Sequence, residues 1–209
     1  MVRVKMCGMT RREDIEYAHR LGVDAVGFIF HQSSPRFVTI ERVKSLLASV
    51  PVFMDTVAVL VNPDAAFVTR ILQELPVSWL QFHGEESPAF CEQFRCPYIK
   101  AVPALSSGVI NEAMDNYRSA TAILIDTPCE ARGGSGQPFA WEIIPEQRSK
   151  PLMLAGGLDA SNVRQAIAAC HPEVVDVCSG VELSPGIKSH EKMNLFVQAL
   201  KDYRSCKGS

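Results

Sequence analysis

The chain has 209 residues, room for one domain or two small ones, and its 47% hydrophobic and 21% charged residues describe a globular protein with a substantial core. A formal net charge of −2, with Lys and Arg scattered along the chain, argues against a nucleic-acid surface, and no apolar stretch reaches the roughly 20 residues of a membrane helix. Seven cysteines, an odd number with no C-x-x-C pair, argue against a disulfide framework or a zinc site and point to reduced thiols in a cytoplasmic setting.

The first apolar run, 2–7, is broken by Arg3 and Lys5 and followed by Arg11-Arg12-Glu13-Asp14, so it reads as a strand and not as a secretory leader. Thr10, with Glu13 three residues on, predicts a capping box for a helix near 11–20, and Gly22 predicts its left-handed cap. A strand at 23–30 precedes a helix at 39–49, where Thr39 has no such partner at Arg42. The strand at 52–61 leads through Asn62-Pro63-Asp64 into a helix at 64–74, and the strand at 77–82 through Ser87-Pro88 into one at 87–95. Strands at 97–102 and 121–126 are followed by helices at 108–118 and 140–147. The strand at 151–154 precedes a helix at 161–170 opened by Asp159-Ala160-Ser161, and the strand at 174–178 precedes a last helix near 190–204.

Strands alternating with helices require a parallel sheet buried on both faces. Eight such units in this length leave only short loops, so the predicted fold is α/β, a single (β/α)₈ TIM barrel over residues 1–209. An open doubly wound sheet is the alternative, weakened by the lack of G-x-G-x-x-G after the first strand. Strand parity then sorts the polar residues: Lys5 and Cys7 lie opposite Val4 and Met6, Asp126 and Leu124 opposite Ile123 and Ile125, and Asp176 opposite Val175 and Val177. The helix layer takes the apolar faces. Cys7 and Asp126 are therefore expected to point inward at the C-terminal mouth, where barrel enzymes assemble their chemistry.

The loops after the last two strands, Leu154-Ala155-Gly156-Gly157-Leu158 and Cys178-Ser179-Gly180-Val181-Glu182, carry glycines that let backbone approach a ligand. In a barrel this is the usual phosphate site, although the same glycines also serve tight turns. Gly133-Gly134-Ser135-Gly136 lacks the lysine of a P-loop.

Several short stretches occur together and in order: Lys5-Met6-Cys7-Gly8-Met9-Thr10, Phe30-His31-Gln32-Ser33-Ser34-Pro35-Arg36-Phe37-Val38, Leu80-Gln81-Phe82-His83-Gly84 and Ile125-Asp126-Thr127. They continue with Gly133-Gly134-Ser135-Gly136, Phe139, Trp141, Gly156-Gly157-Leu158 and Ser179-Gly180-Val181-Glu182. Over almost its whole length the chain thereby resembles the phosphoribosylanthranilate isomerases of tryptophan biosynthesis. The resemblance implies an Amadori rearrangement of N-(5′-phosphoribosyl)anthranilate with no metal or organic cofactor. It implies a small phosphorylated substrate, no nucleic-acid or membrane partner, and a monomer or homodimer.

Residue by residue, Cys7 matches the family's base and Asp126 its acid. Read alone, Cys7 is as readily a small buried apolar residue, and Asp126 a turn residue before Thr127-Pro128. A thiol of ordinary pKa is only slightly ionised at neutral pH, and Lys5 on the same face is a candidate source of the positive field a thiolate needs. Arg36 resembles the grip on the anthranilate carboxylate, a role suited to its planar fork, and His83 a residue that positions substrate. Gly156, Gly157, Ser179 and Gly180 match the phosphate loops, and the segment 127–138 a lid over the mouth. The chain departs from the family pattern at Cys178, usually serine, and at Ala140, usually aspartate. A histidine-pathway isomerase would place an aspartate where Cys7 stands, a phosphosugar epimerase would need a metal-binding set of histidines and aspartates, and an inactive binding barrel would have no need of Cys7 and Asp126 together.

Overall fold

Aliphatic and β-branched residues concentrate in eight short runs, and in the computed structural model each run forms one parallel strand. The structure describes residues 2–126 and 141–206. The strands are β1 (Arg3–Met6), β2 (Ala25–Ile29), β3 (Asp55–Leu60), β4 (Trp79–Phe82), β5 (Tyr98–Pro103), β6 (Ala122–Asp126), β7 (Leu152–Ala155) and β8 (Val174–Val177). They close in chain order into a barrel, β8 pairing back onto β1, which settles the choice against an open sheet. Around it lie α1 (Arg12–Leu21), α2 (Ile40–Leu47), α3 (Ala65–Glu74), α4 (Pro88–Glu92), α5 (Ser107–Asn116), α6 (Val163–Cys170) and α7 (His190–Cys206). Among the described residues no helix is long and apolar enough to cross a membrane.

Strand parity divides the core as the sequence requires. Val4, Met6, Ile123, Ile125, Val175 and Val177 pack outward into the helix layer. A separate interior cluster contains Cys7, Val57, Val59, Ile99, Leu124 and Met153. Each buried aliphatic side chain contributes about 1.5–3 kcal/mol, so both layers favour one register and a slip by one residue would exchange them.

Among the described residues five helix starts are capped by side chains: Thr39 accepts from the Arg42 amide, Asp64 from Phe67, Ser87 from Phe90, Ser106 from Val109 and Ser189 from Lys192. Each such bond is worth about 1 kcal/mol. Gly22 closes α1 with φ 79°, as its position predicts. Thr10 does not cap α1. Its hydroxyl donates instead to the Gly186 carbonyl, the N-cap is Arg11 without a side-chain bond, and the capping box is not formed. Asp159 turns the chain by accepting from Ser161 and Asn162 amides, and α6 starts later, at Val163.

The helix expected at 140–147 is also corrected. Only a 3₁₀ turn, Trp141–Ile143, forms there among the described residues. Pro145 explains this, because it lacks an N–H and disfavours helical backbone at Ile144. After β8 the chain adds an element not anticipated from sequence, the hairpin β9 (Glu182–Ser184) and β10 (Ile187–Lys188). It brings the buried Glu182 and Lys188 to the C-terminal mouth of the barrel.

Candidate active site

Cys7, Arg36, His83, Asp126, Gly156, Gly157 and Ser179 all line one cavity of about 330 Å³ at the C-terminal mouth. That volume suits a small ligand. Gly180 stands behind the lining. A Cβ built on it would lie 1.9 Å from the Leu158 carbonyl oxygen, so only glycine lets the β7 and β8 loops meet here. Gly156 and Gly157 turn the β7 loop with φ 87° and 61°, a left-handed pair costly for other residues. The expected lid, 127–138, and Ala140 lie outside the described residues.

Cys7 follows β1 and extends its ladder, its amide donating to the Val177 carbonyl at 2.9 Å. The neighbouring strand therefore ends in Cys178 beside it, and the two thiols hydrogen-bond. The thiol hydrogen bond from Cys178 draws the Cys7 pKa down from 9.0 to about 6, against burial and with help from the Lys5 and Lys188 charges. Cys178 moves in the opposite direction, because its proton serves Cys7 and burial disfavours its own ionisation. Below them Lys5 and Asp176 form a buried ion pair at 2.8 Å. Burial opposes the Lys5 charge, but Asp176 and Cys7 outweigh it and hold its pKa above the ordinary value.

Arg36 reaches the mouth from the segment after β2, where Val38 donates to the Ile29 carbonyl and Phe37 bridges Ile29. Its Nε and Nη2 hold the Glu182 carboxylate, the shortest contact being 2.6 Å. Lys188 also donates to Glu182, at 2.9 Å, and to the carbonyls of Cys7 and Cys178, at 2.5 and 3.2 Å. Burial resists ionisation of Glu182, yet Arg36 and Lys188 keep its pKa below the usual carboxylate value. The Glu182 bonds occupy one edge of the guanidinium, and its Nη1 edge carries two further donors suited to a carboxylate.

Across the mouth, His83 Nε2 lies 3.0 Å from Asp126 Oδ2, and Gln81 Nε2 lies 2.9 Å from His83 Nδ1. His83 and Asp126 are half-exposed, whereas Gln81 is almost fully buried. Sequence reasoning assigned nothing to Glu182, Lys188, Gln81 or Asp176. Inward parity marked Asp176, and the quoted stretches contain Gln81 and Glu182, but no local rule says which partner each meets. Lys188 needed the hairpin.

Fold and site together define a (β/α)₈ barrel with ionisable groups gathered at one mouth and glycine loops at its rim. The sequence model for N-(5'phosphoribosyl)anthranilate (PRA) isomerase matches residues 4–199, and the chain belongs to that family. It is 54% identical over 200 residues to the N-(5'-phosphoribosyl)anthranilate isomerase of Legionella pneumophila (strain Lens), covering 95% of this chain and 97% of that protein. The Pseudomonas fluorescens (strain Pf0-1) isomerase is 46% identical, with 96% and 98% covered. Among solved structures, phosphoribosyl anthranilate isomerase from Thermotoga maritima superposes with a TM-score of 0.89 at 37% identity, over 97% of this chain and 100% of that one. A second structure, of the isomerase in complex with reduced 1-(o-carboxyphenylamino)-1-deoxyribulose 5-phosphate, gives a TM-score of 0.87 at 35% identity, with 97% and 100% covered.

Proposed function

We propose that Cys7 is the base and Asp126 the acid in isomerising N-(5′-phosphoribosyl)anthranilate to 1-(2-carboxyphenylamino)-1-deoxyribulose 5-phosphate. The observation that carries this reading is the shared cavity, which joins the thiol of lowered pKa at the end of β1 to a carboxyl at the end of β6.

Asp126 gives its proton to the furanose oxygen. The C1′–O bond breaks toward oxygen, and the anilino nitrogen lone pair forms the C1′=N iminium. Cys7, as thiolate, then takes the C2′ proton. The C2′–H electron pair becomes a C1′=C2′ bond, and the iminium electrons return to nitrogen. The resulting enolamine becomes the ketone by losing the 2′-hydroxyl proton and gaining one at C1′. Electrons balance within the substrate, C1′ being reduced as C2′ is oxidised. Asp126 and Cys7 carry the first two proton transfers, each positioned group contributing typically about 10²–10⁴-fold. The tautomerisation to the ketone and the return of Cys7 and Asp126 to their starting states proceed by proton exchange with water.

The Nη1 edge of Arg36 takes the anthranilate carboxylate while Glu182 holds its other edge. Gly156, Gly157, Ser179 and Gly180 take the phosphate where the β7 and β8 loops meet. His83 orients Asp126 and the substrate beside it. The chain works as a single domain on a small phosphorylated substrate in a reducing, cytoplasmic setting. It works as a monomer or a homodimer.

The test is the fluorescence loss of freshly made phosphoribosylanthranilate on adding the purified chain, with chelator present. Acceleration over the uncatalysed background supports the reading, and none would overturn it.

A further inference from the structure

Gln81 is a buried amide directly beneath the mouth, and neither proton transfer uses it. β4 parity turns Gln81 and His83 toward the cavity while Leu80 and Phe82 pack into the helix layer. Two residues apart on one face, their side chains reach each other: the Gln81 amide nitrogen lies 2.9 Å from His83 Nδ1. An amide nitrogen only donates, so Nδ1 must accept, and the single proton of the neutral ring goes to Nε2. Nε2 faces Asp126 Oδ2 at 3.0 Å. The three groups thus form a directed chain from Gln81 through His83 to Asp126. Among the described residues the buried Gln81 Oε1 has no hydrogen-bond partner, and the one side-chain bond Gln81 makes is to His83.

We propose that Gln81 is a positioning residue for the proton donor: its amide fixes His83 as the neutral Nε2–H tautomer, which binds Asp126 Oδ2 and leaves Oδ1 to deliver the proton. This rests on the reading of Asp126 as the acid. The consequence is chemical and not only steric. A doubly protonated His83 would form an ion pair with Asp126 and hold it as carboxylate, unable to donate. An amide N–H set against Nδ1 offers no acceptor for a second ring proton. The other ionisable groups lining the same cavity are Cys7, His31, Arg36, Asp176 and Cys178.

Gln81→Glu separates this role from packing, because it is nearly isosteric yet turns the donor into an acceptor for Nδ1–H. It is expected to put a proton on His83 Nδ1, so that Nε2–H is no longer the fixed tautomer, and to lower kcat by about tenfold or more with little change in KM. Gln81→Met, which fills similar volume without a donor, is expected to give mixed tautomers and a smaller loss.

The tautomer is read without turnover, from ¹⁵N shifts of histidine-labelled protein, with His83 assigned by difference against His83→Asn. An Nδ1–H tautomer in the wild type would overturn the proposal, as would a folded Gln81→Glu protein with wild-type kcat. Asp126→Asn separates the two levels. If it retains near-normal kcat, the acid reading fails. If it is inactive while Gln81→Glu is not, only the role of Gln81 fails.

Discussion

Replacing Cys178 with alanine removes the neighbour that contributes most to ionising Cys7, without touching Cys7 itself. A thiol lowered from 9.0 to about 6 has its thiolate favoured by about 4 kcal/mol over its ordinary state. The thiol bond from Cys178 is the largest contribution, ahead of the opposing burial and the assisting Lys5 charge. A hydrogen bond to a charged group is worth about 1.5–3 kcal/mol, so its loss should raise the Cys7 pKa by about 1–2, to about 7–8. The sign follows from the chemistry. The proposed base, Cys7, works deprotonated, so kcat/KM falls as pH drops through its pKa, and the acid limb of the profile moves alkaline in Cys178→Ala. Cys178→Ser keeps a donor and should leave the limb near its original place. The assay is thiolate ultraviolet absorbance against pH, blanked with Cys7→Ser, beside the kcat/KM profile of each variant. A wild-type midpoint near 9, or a midpoint that does not move in Cys178→Ala, would refute the reasoning.

Gly180→Ala should cost about 1–3 kcal/mol in urea unfolding, because its Cβ would meet the Leu158 carbonyl at 1.9 Å and force the two loops apart. Its KM should rise as well, since those loops form the proposed phosphate site. Lys5→Met leaves Asp176 charged and unpaired at the barrel centre, a loss of about 3–5 kcal/mol in the same measurement, and it should move the Cys7 titration alkaline. Arg36→Ala should raise KM at least tenfold with a smaller effect on kcat, and Arg36→Lys should recover little because a single ammonium cannot bridge Glu182 and a carboxylate bidentately. Steady-state kinetics decides both.

The barrel was legible in the sequence because parity and period constrain it strongly. Val4 and Met6 against Lys5 and Cys7, or Ile123 and Ile125 against Leu124 and Asp126, are enough to orient two strands and to place Cys7 and Asp126 at one mouth. Local rules failed where a tertiary partner outbid a local one. Thr10 had the residues of a capping box, but the Gly186 carbonyl, far along the chain, took its hydroxyl. The helix expected at 140–147 ignored what Pro145 does to the residue before it. The supports of the site were the least visible. Glu182 meets Arg36 across 146 positions and Lys5 meets Asp176 across 171, and no spacing rule links residues so distant. The short hairpin that carries Lys188 is only two to three residues per strand, below what periodicity can register.

The central claim is that one thiol and one carboxyl at this mouth divide two proton transfers. Single-turnover fluorescence with Cys7→Ala and Asp126→Asn, each first shown to bind the reduced product analogue, tests it most directly. The account predicts that both variants bind the analogue with near wild-type affinity while the chemical step slows by about 10²-fold or more. Turnover near the wild-type rate in either binding-competent variant would contradict it.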